Sequence, residues 1–182
     1  TLFFVPGAYS LAAVVAFNVA NARYLGPKVV NPRSSRVTLT DAIGDHTIAA
    51  NDVEFGYLTF VPLTAQNWFS VTTTTDRAHF HDFYYNADGI AASTSTEFIN
   101  SAGANEDWHI EDFAVLVDAA QGDFLTLTSP QRWAIQRGKF WVEGGTWASV
   151  FTLATTPIGL HADLLFFNGS GASSVYTNIF TG

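Results

Sequence analysis

From about residue 36 onward, short apolar or alternating runs rich in Val, Thr, Phe, Trp and Tyr are punctuated by Gly, Asn, Asp and Pro. Successive side chains of a strand face opposite sides of a sheet, so such runs read as half-buried strands. The pattern predicts strands over Arg36–Thr40, His46–Ala50, Val53–Val61, Asn67–Thr73, Ala78–Tyr85, Trp108–Val117, Asp123–Thr128, Gln131–Arg137, Lys139–Glu143, Thr146–Ala154, Ala162–Asn168 and Ser174–Phe180. Gly44-Asp45, Asp88-Gly89, Gly122-Asp123 and Gly144-Gly145 supply tight turns. Many short strands with frequent turn signals predict an all-β fold, most simply a single jelly-roll-like β-sandwich.

The first 35 residues read differently, as an N-terminal arm and a short helix ahead of a β-sandwich domain over 36–182. Ser10 can cap a helix through LAAVVAFNVANARYL, stopped by Gly26 and Pro27. Val14, Val15, Phe17 and Val19 suit a strand equally well, and both readings stay open. Before them, Leu2, Phe3, Phe4 and Val5 form an apolar end set off by Pro6 and Gly7. An extended arm of this kind can complete the sheet edge of a neighbouring copy, which makes these four residues a candidate assembly interface. The stretch from Gly89 to Gly103 reads as a surface loop, and no internal repeat or linker stands out.

Composition narrows the setting. The 182 residues include no Cys and no Met, which suits a protein exposed to oxidants, outside the cell or on a virion surface. Sixteen acidic residues against eight basic ones give a net charge of -8, and no basic stripe is present. Direct binding to a phosphate backbone is therefore not expected. Leu11–Val19 is too short to span a bilayer and follows no basic segment, so neither a transmembrane segment nor a signal peptide is expected.

Candidate chemistry begins with His79-Phe80-His81, where strand alternation puts two imidazoles on one face, spaced to share a metal cation. This strand, together with the run from Gly122-Asp123 to Pro130, resembles the two motifs of the cupin family. The resemblance implies a jelly-roll barrel holding a metal. Two elements of that pattern are missing: Asn86 stands nearest the place of the acidic ligand, and Gln131, Arg132, Trp133 and Ala134 follow Pro130 where a His is expected. The fold suggestion is retained and the activity is not.

A second cluster, Glu106, Asp107, Glu111 and Asp112, puts four carboxylates in an eight-residue stretch starting at Asn105. It reads as a solvated acidic loop, with Ca²⁺ as the one cofactor such oxygen ligands could hold. Its order does not fit an EF-hand. There is no Gly-x-Ser-x-Gly elbow and no Cys for nucleophilic chemistry. Spacing favours no pair among Glu54, Glu97, Glu111 and Glu143 for sugar hydrolysis. Trp68, Trp133, Trp141 and Trp147 lie in strand-like runs and read as core, with sugar stacking as the alternative. Asn168-Gly169-Ser170 fits a glycosylation acceptor pattern.

Taken together, these features favour a non-enzymatic structural subunit that assembles with copies of itself into a capsid or extracellular filament. The alternatives are a cupin-like metal-binding protein and a secreted carbohydrate-binding module with a glycan as partner.

Overall fold

In the computed structural model, the described residues are 1–88, 97–117, 122–143, 146–169 and 175–181, the side chains of 146, 148, 175, 177 and 178 excepted. The described residues wind through seven coils. The first holds β1 (Leu2–Phe3), β2 (Gly7–Leu11) and β3 (Ala16–Phe17), and the second β4 (Arg23–Leu25), β5 (Val37–Asp41) and β6 (Thr47–Ile48). The third holds β7 (Glu54–Gly56), β8 (Thr59–Pro62) and β9 (Phe69–Val71), and the fourth β10 (His79–His81), β11 (Tyr84–Ala87) and β12 (Ile99–Ser101). Longer strands mark the fifth, β13 (His109–Val117) and β14 (Leu125–Leu127), and the sixth, β15 (Ala134–Val142) and β16 (Thr146–Leu153). The seventh holds β17 (His161–Asp163), β18 (Phe166–Gly169) and β19 (Val175–Thr181).

Each strand lies parallel to its counterpart one coil away. One stack runs β1-β4-β7-β10, then the first half of β13, the first part of β15 and β17. A second runs β2-β5-β8-β11, then the second halves of β13 and β15, and β18. The third holds β3-β6 and β9-β12-β14-β16-β19. The result is a parallel β-solenoid. The all-β expectation holds, but the antiparallel jelly roll is replaced, because among the described residues every strand pair joins equivalent segments of successive coils and none joins neighbours through a hairpin.

The core fills because alternation points the same row inward in every coil. Along the first stack, Phe55, Phe80, Ile110 and Ile135 superpose and are buried, and along the second Phe60, Tyr85, Val115 and Phe140 do the same. Rings stack at about the spacing of adjacent strands: Phe55 and Phe80 have centroids 4.8 Å apart, and Trp108 and Trp133 also 4.8 Å. Gly138 stands in a row with Phe83 and Phe113, and a Cβ there would strike the Phe113 ring.

Corners recur as regularly as strands. Tyr57, Asp82, Asp112, Arg137 and Leu164 all have positive φ between 50° and 59°, and they separate the first stack from the second. A second column of positive φ, Asn21, Asp52, Arg77, Asp107, Arg132 and Gly159, precedes the first stack. Glycine aside, Asn and Asp tolerate this left-handed conformation best, which explains Asn21, Asp52, Asp82, Asp107 and Asp112. These corners split three expected strands, Val53–Val61 at Tyr57, Ala78–Tyr85 at Asp82 and Ala162–Asn168 at Leu164.

The N-terminal readings change as well. Among the described residues the only helical element is a 3₁₀ turn at Pro32–Ser34, and the stretch expected as helix or strand, Leu11–Leu25, carries the last residue of β2 with β3 and β4. Propensity for helix yields here to pairing with the next coil: Ala16–Phe17 lies beside Thr47–Ile48, and Arg23–Leu25 beside Glu54–Gly56. Thr1–Val5 is not a free arm, since Leu2 and Phe3 pair with Tyr24 and Leu25, and the Phe4 amide donates to the Leu25 carbonyl at 2.8 Å. The first 35 residues are thus the opening coils of the same stack. Most of the expected Gly89–Gly103 loop, the Gly89 side of its turn and the Gly144-Gly145 turn lie outside the described residues.

Candidate functional site

Two outward-facing regions gather polar chemistry. The first lies on the outer face of the first stack, where alternation turns Glu54, His79 and His109 out in one row and Gly56, His81 and Glu111 in another. Gly56 matters to this face, because a Cβ there would collide with the His81 ring. The His79 and His81 rings lie 4.7 Å apart, as the spacing predicted. Their nitrogens, however, face carboxylates: His79 Nε2 is 2.8 Å from Glu111 Oε1, while His81 lies 3.1 Å from Glu54 and 2.9 Å from Asp82. Among the described residues no group of three or more His, Asp or Glu side chains converges as a metal site.

The acidic cluster divides between two corners. Glu106 and Asp107 flank one, where Arg132 donates to Asp107 at 2.7 and 3.0 Å and to Glu106 at 2.7 Å. Glu111 and Asp112 flank the other, where Arg137 donates to Asp112 at 2.7 and 2.8 Å and also reaches Glu111. These hydrogen bonds hold the Asp107 and Asp112 carboxyls below the usual range. Glu111 is also held low: partial burial opposes its ionisation, but hydrogen bonds from His79 and Arg137 outweigh it. The carboxylates are paired with arginines from the next coil, so each sits in a charge ladder along the solenoid.

The second region is a cleft of about 530 Å³ between the segment around Arg33 and the outer face of the second stack. Ser35 ties that segment down by donating to the Tyr57 carbonyl at 2.6 Å, and the Asn31 side chain accepts from the Arg33 amide at 3.1 Å. The Arg33 guanidinium then lies over two rings, 5.0 Å from the centroid of Trp141 and 5.4 Å from that of Tyr84. Asp82, Arg137, Lys139 and Phe166 line the same cleft.

Sequence reasoning missed this cleft by reading Trp141 as core. Within Lys139-Phe140-Trp141-Val142, Phe140 and Val142 are buried, so Trp141 must point the other way. Trp68, Trp108, Trp133 and Trp147 are buried. No sequence signal placed Arg33 beside Trp141, because they meet across separate coils. Of the glycosylation pattern, Ser170 lies outside the described residues; Asn168 is exposed in β18.

In class the molecule is a parallel β-solenoid with a charge ladder on one face and an aromatic, cation-bearing cleft on the next. No family model matches the chain, and none of the curated proteins matches it. Among solved structures it aligns with ORF18 of Geobacillus virus E2 at 10% identity, over 99% of this chain and 54% of that one, with a TM-score of 0.28. The chain thus spans about half of that protein's length, and so loose a likeness bears on neither fold nor function. Among the described residues no helix is long and apolar enough to cross a membrane.

Proposed function

We propose that the chain is a non-enzymatic structural segment of a repeating assembly, on a virion or in an extracellular filament, that associates with copies of itself. The observation that carries this reading is the character of the outermost coils. Leu2, Phe3 and Val5 at one end, and Leu164 and Phe180 at the other, are large apolar side chains left exposed. The first and seventh coils continue the same three stacks as the coils between them, so the last coil of one copy can receive the first coil of another in the same parallel register. Such contact is head-to-tail and open-ended, and generates filaments. Exposed strand edges supply the backbone donors and acceptors for it.

Light scattering coupled to size exclusion tests the proposal on the whole chain. Oligomers growing with concentration are expected, and Phe3→Asp, which puts a charge on an exposed edge, should return the protein to single copies with an unchanged circular dichroism spectrum. A monomer at every concentration, or assembly indifferent to Phe3→Asp, removes the proposal.

A further inference from the structure

We propose that the Trp141 cleft binds an acidic saccharide, a sugar carrying a carboxylate, independently of any assembly of the solenoid. Recognition of such a ligand needs a flat apolar surface for the carbon-bound hydrogens of the ring, a cation for the carboxylate, and acceptors for hydroxyl groups. The cleft holds all three. Phe166 is 60% exposed and gives the open aromatic surface, while the outward Trp141 ring beside it carries the Arg33 guanidinium 5.0 Å from its centroid. Lys139 stands in the same outward row as Phe166, directly paired with it across the coils.

The charge arrangement selects the ligand. In a chain of net charge -8 most arginines are spent on carboxylates: Arg23, Arg77, Arg132 and Arg137 each form ion pairs. Among the described residues, neither Arg33 nor Lys139 forms one. Both line the cleft, and Arg33 is held over Trp141 by its contact with the ring, its planar fork of donors already oriented. Asp82 and Asp112 line the same space and disfavour a polyphosphate, whose repeated charges they would repel, while Asp82 can accept from sugar hydroxyls. One carboxylate on a hydroxylated ring fits this balance better than a nucleic acid does.

Fluorescence isolates the site, because the other four tryptophans are at most 1% exposed and only Trp141 can meet a ligand. Titration of the full chain with galacturonate and with 3′-sialyllactose, against their methyl esters and lactose, should give a saturable change in emission with an acidic sugar. The neutral forms should bind about tenfold more weakly, the worth of one charge-assisted hydrogen bond. Lys139→Gln, an exposed substitution, should erase that preference without altering the melting temperature, and Trp141→Ala should abolish binding by calorimetry. No change with either acidic sugar, equal binding of the neutral forms, or a preference that survives Lys139→Gln would each overturn the proposal, as would a response to an oligonucleotide alone.

Discussion

The third to sixth coils and the outermost coils share one cross-section but not one degree of burial. Inward rings of the middle coils, among them Phe55, Phe80, Phe98, Phe113 and Phe140, are at most 1% exposed. Their counterparts nearer the ends, Phe4, Tyr9, Phe17, Phe167 and Tyr176, are only partly buried against the same core. Each ring is thus covered by the coils above and below it, so its contribution is set by its neighbours along the axis. Stacking follows the same rule: Phe80 has rings on several sides, Phe55 at 4.8 Å, Phe69 at 5.4 Å and Phe98 at 5.6 Å, whereas Phe167 stacks on Phe140 at 4.9 Å and meets Tyr176 at 5.3 Å.

The largest expected effect tests this difference directly. Phe80→Ala should cost about 3–5 kcal/mol, the transfer and cavity terms of a ring that cannot be refilled. Phe17→Ala, at a partly buried ring, should cost ~1–2 kcal/mol, because water already reaches its site. Urea unfolding of the two variants gives both values, and equal losses would break the comparison.

The same axial dependence explains what the sequence could reveal. Strand alternation is local, so most strands were legible: Arg36–Thr40 was expected where Val37–Asp41 is found, and Trp108–Val117 where His109–Val117 is found. The stacking was not, because its period is uneven. Thr38 pairs with Thr59, 21 residues on, while Arg23 pairs with Glu54, 31 residues on. The aligned rows share polarity rather than identity, as with Asn21, Asp52, Arg77, Asp107 and Arg132 at one corner. A signal did exist: Val53-x-Phe55-x-x-Leu58-x-Phe60, Ala78-x-Phe80-x-x-Phe83-x-Tyr85 and Trp108-x-Ile110-x-x-Phe113-x-Val115 repeat one apolar spacing across the same corner of three successive coils. Of the site, the shared face of His79 and His81 was legible from alternation. The division of the acidic cluster was not, because it depends on the positive φ of Asp107 and Asp112 and on arginines one coil away.

A smaller effect probes polar burial between the fourth and fifth coils. Asn105 is fully buried: its Oδ1 accepts from the Thr75 amide at 2.8 Å, and its Nδ2 donates to Ser101 Oγ at 2.6 Å. Asn105→Ala leaves the Thr75 amide without a partner and should cost about 2 kcal/mol. A loss below a tenth of the Phe80→Ala loss in the same urea experiment would show that water replaces the side chain, and that the middle coils are less closed than their rings indicate.

Burial in the middle coils also makes stability depend on pH. Glu97, just ahead of β12, is pushed up to about 7 by burial, which opposes its charge more than hydrogen bonds to Thr126 and Asn100 favour it. The folded chain therefore holds this proton where the unfolded chain has released it. The stabilisation is complete below the ordinary carboxylate range and is lost as pH rises through about 7. Glu97→Gln, which mimics the protonated form, should gain about 1–2 kcal/mol over the parent at about pH 8, after allowance for solvent screening, and almost nothing at about pH 4. His46 slopes the opposite way, because burial lowers its pKa despite the nearby Asp41, and its contribution falls as pH drops below the ordinary histidine range. Denaturation curves of the Glu97 variant across this range isolate the first slope; a pH-independent difference would place Glu97 in contact with water.

The smallest effect belongs to the charge ladder, where the comparison between coils concerns solvent rather than packing. In the middle coils the corner residues Asp82, Asp112 and Arg137 stack with charged neighbours, while the seventh coil puts exposed Leu164 at the same corner. Arg137 holds Asp112 through two hydrogen bonds, yet its side chain is 41% exposed, so water and salt screen the pair. Arg137→Gln should lower the melting temperature by less than about 2 °C in dilute buffer. At about 1 M salt the difference should vanish, while the loss from Phe80→Ala persists, since burial of apolar area is not weakened by a short Debye length. A ladder loss that survives high salt would mean that these arginines stabilise the corners by packing their stems against the coil, and the contrast between a dry interior and a screened exterior would fail at this corner.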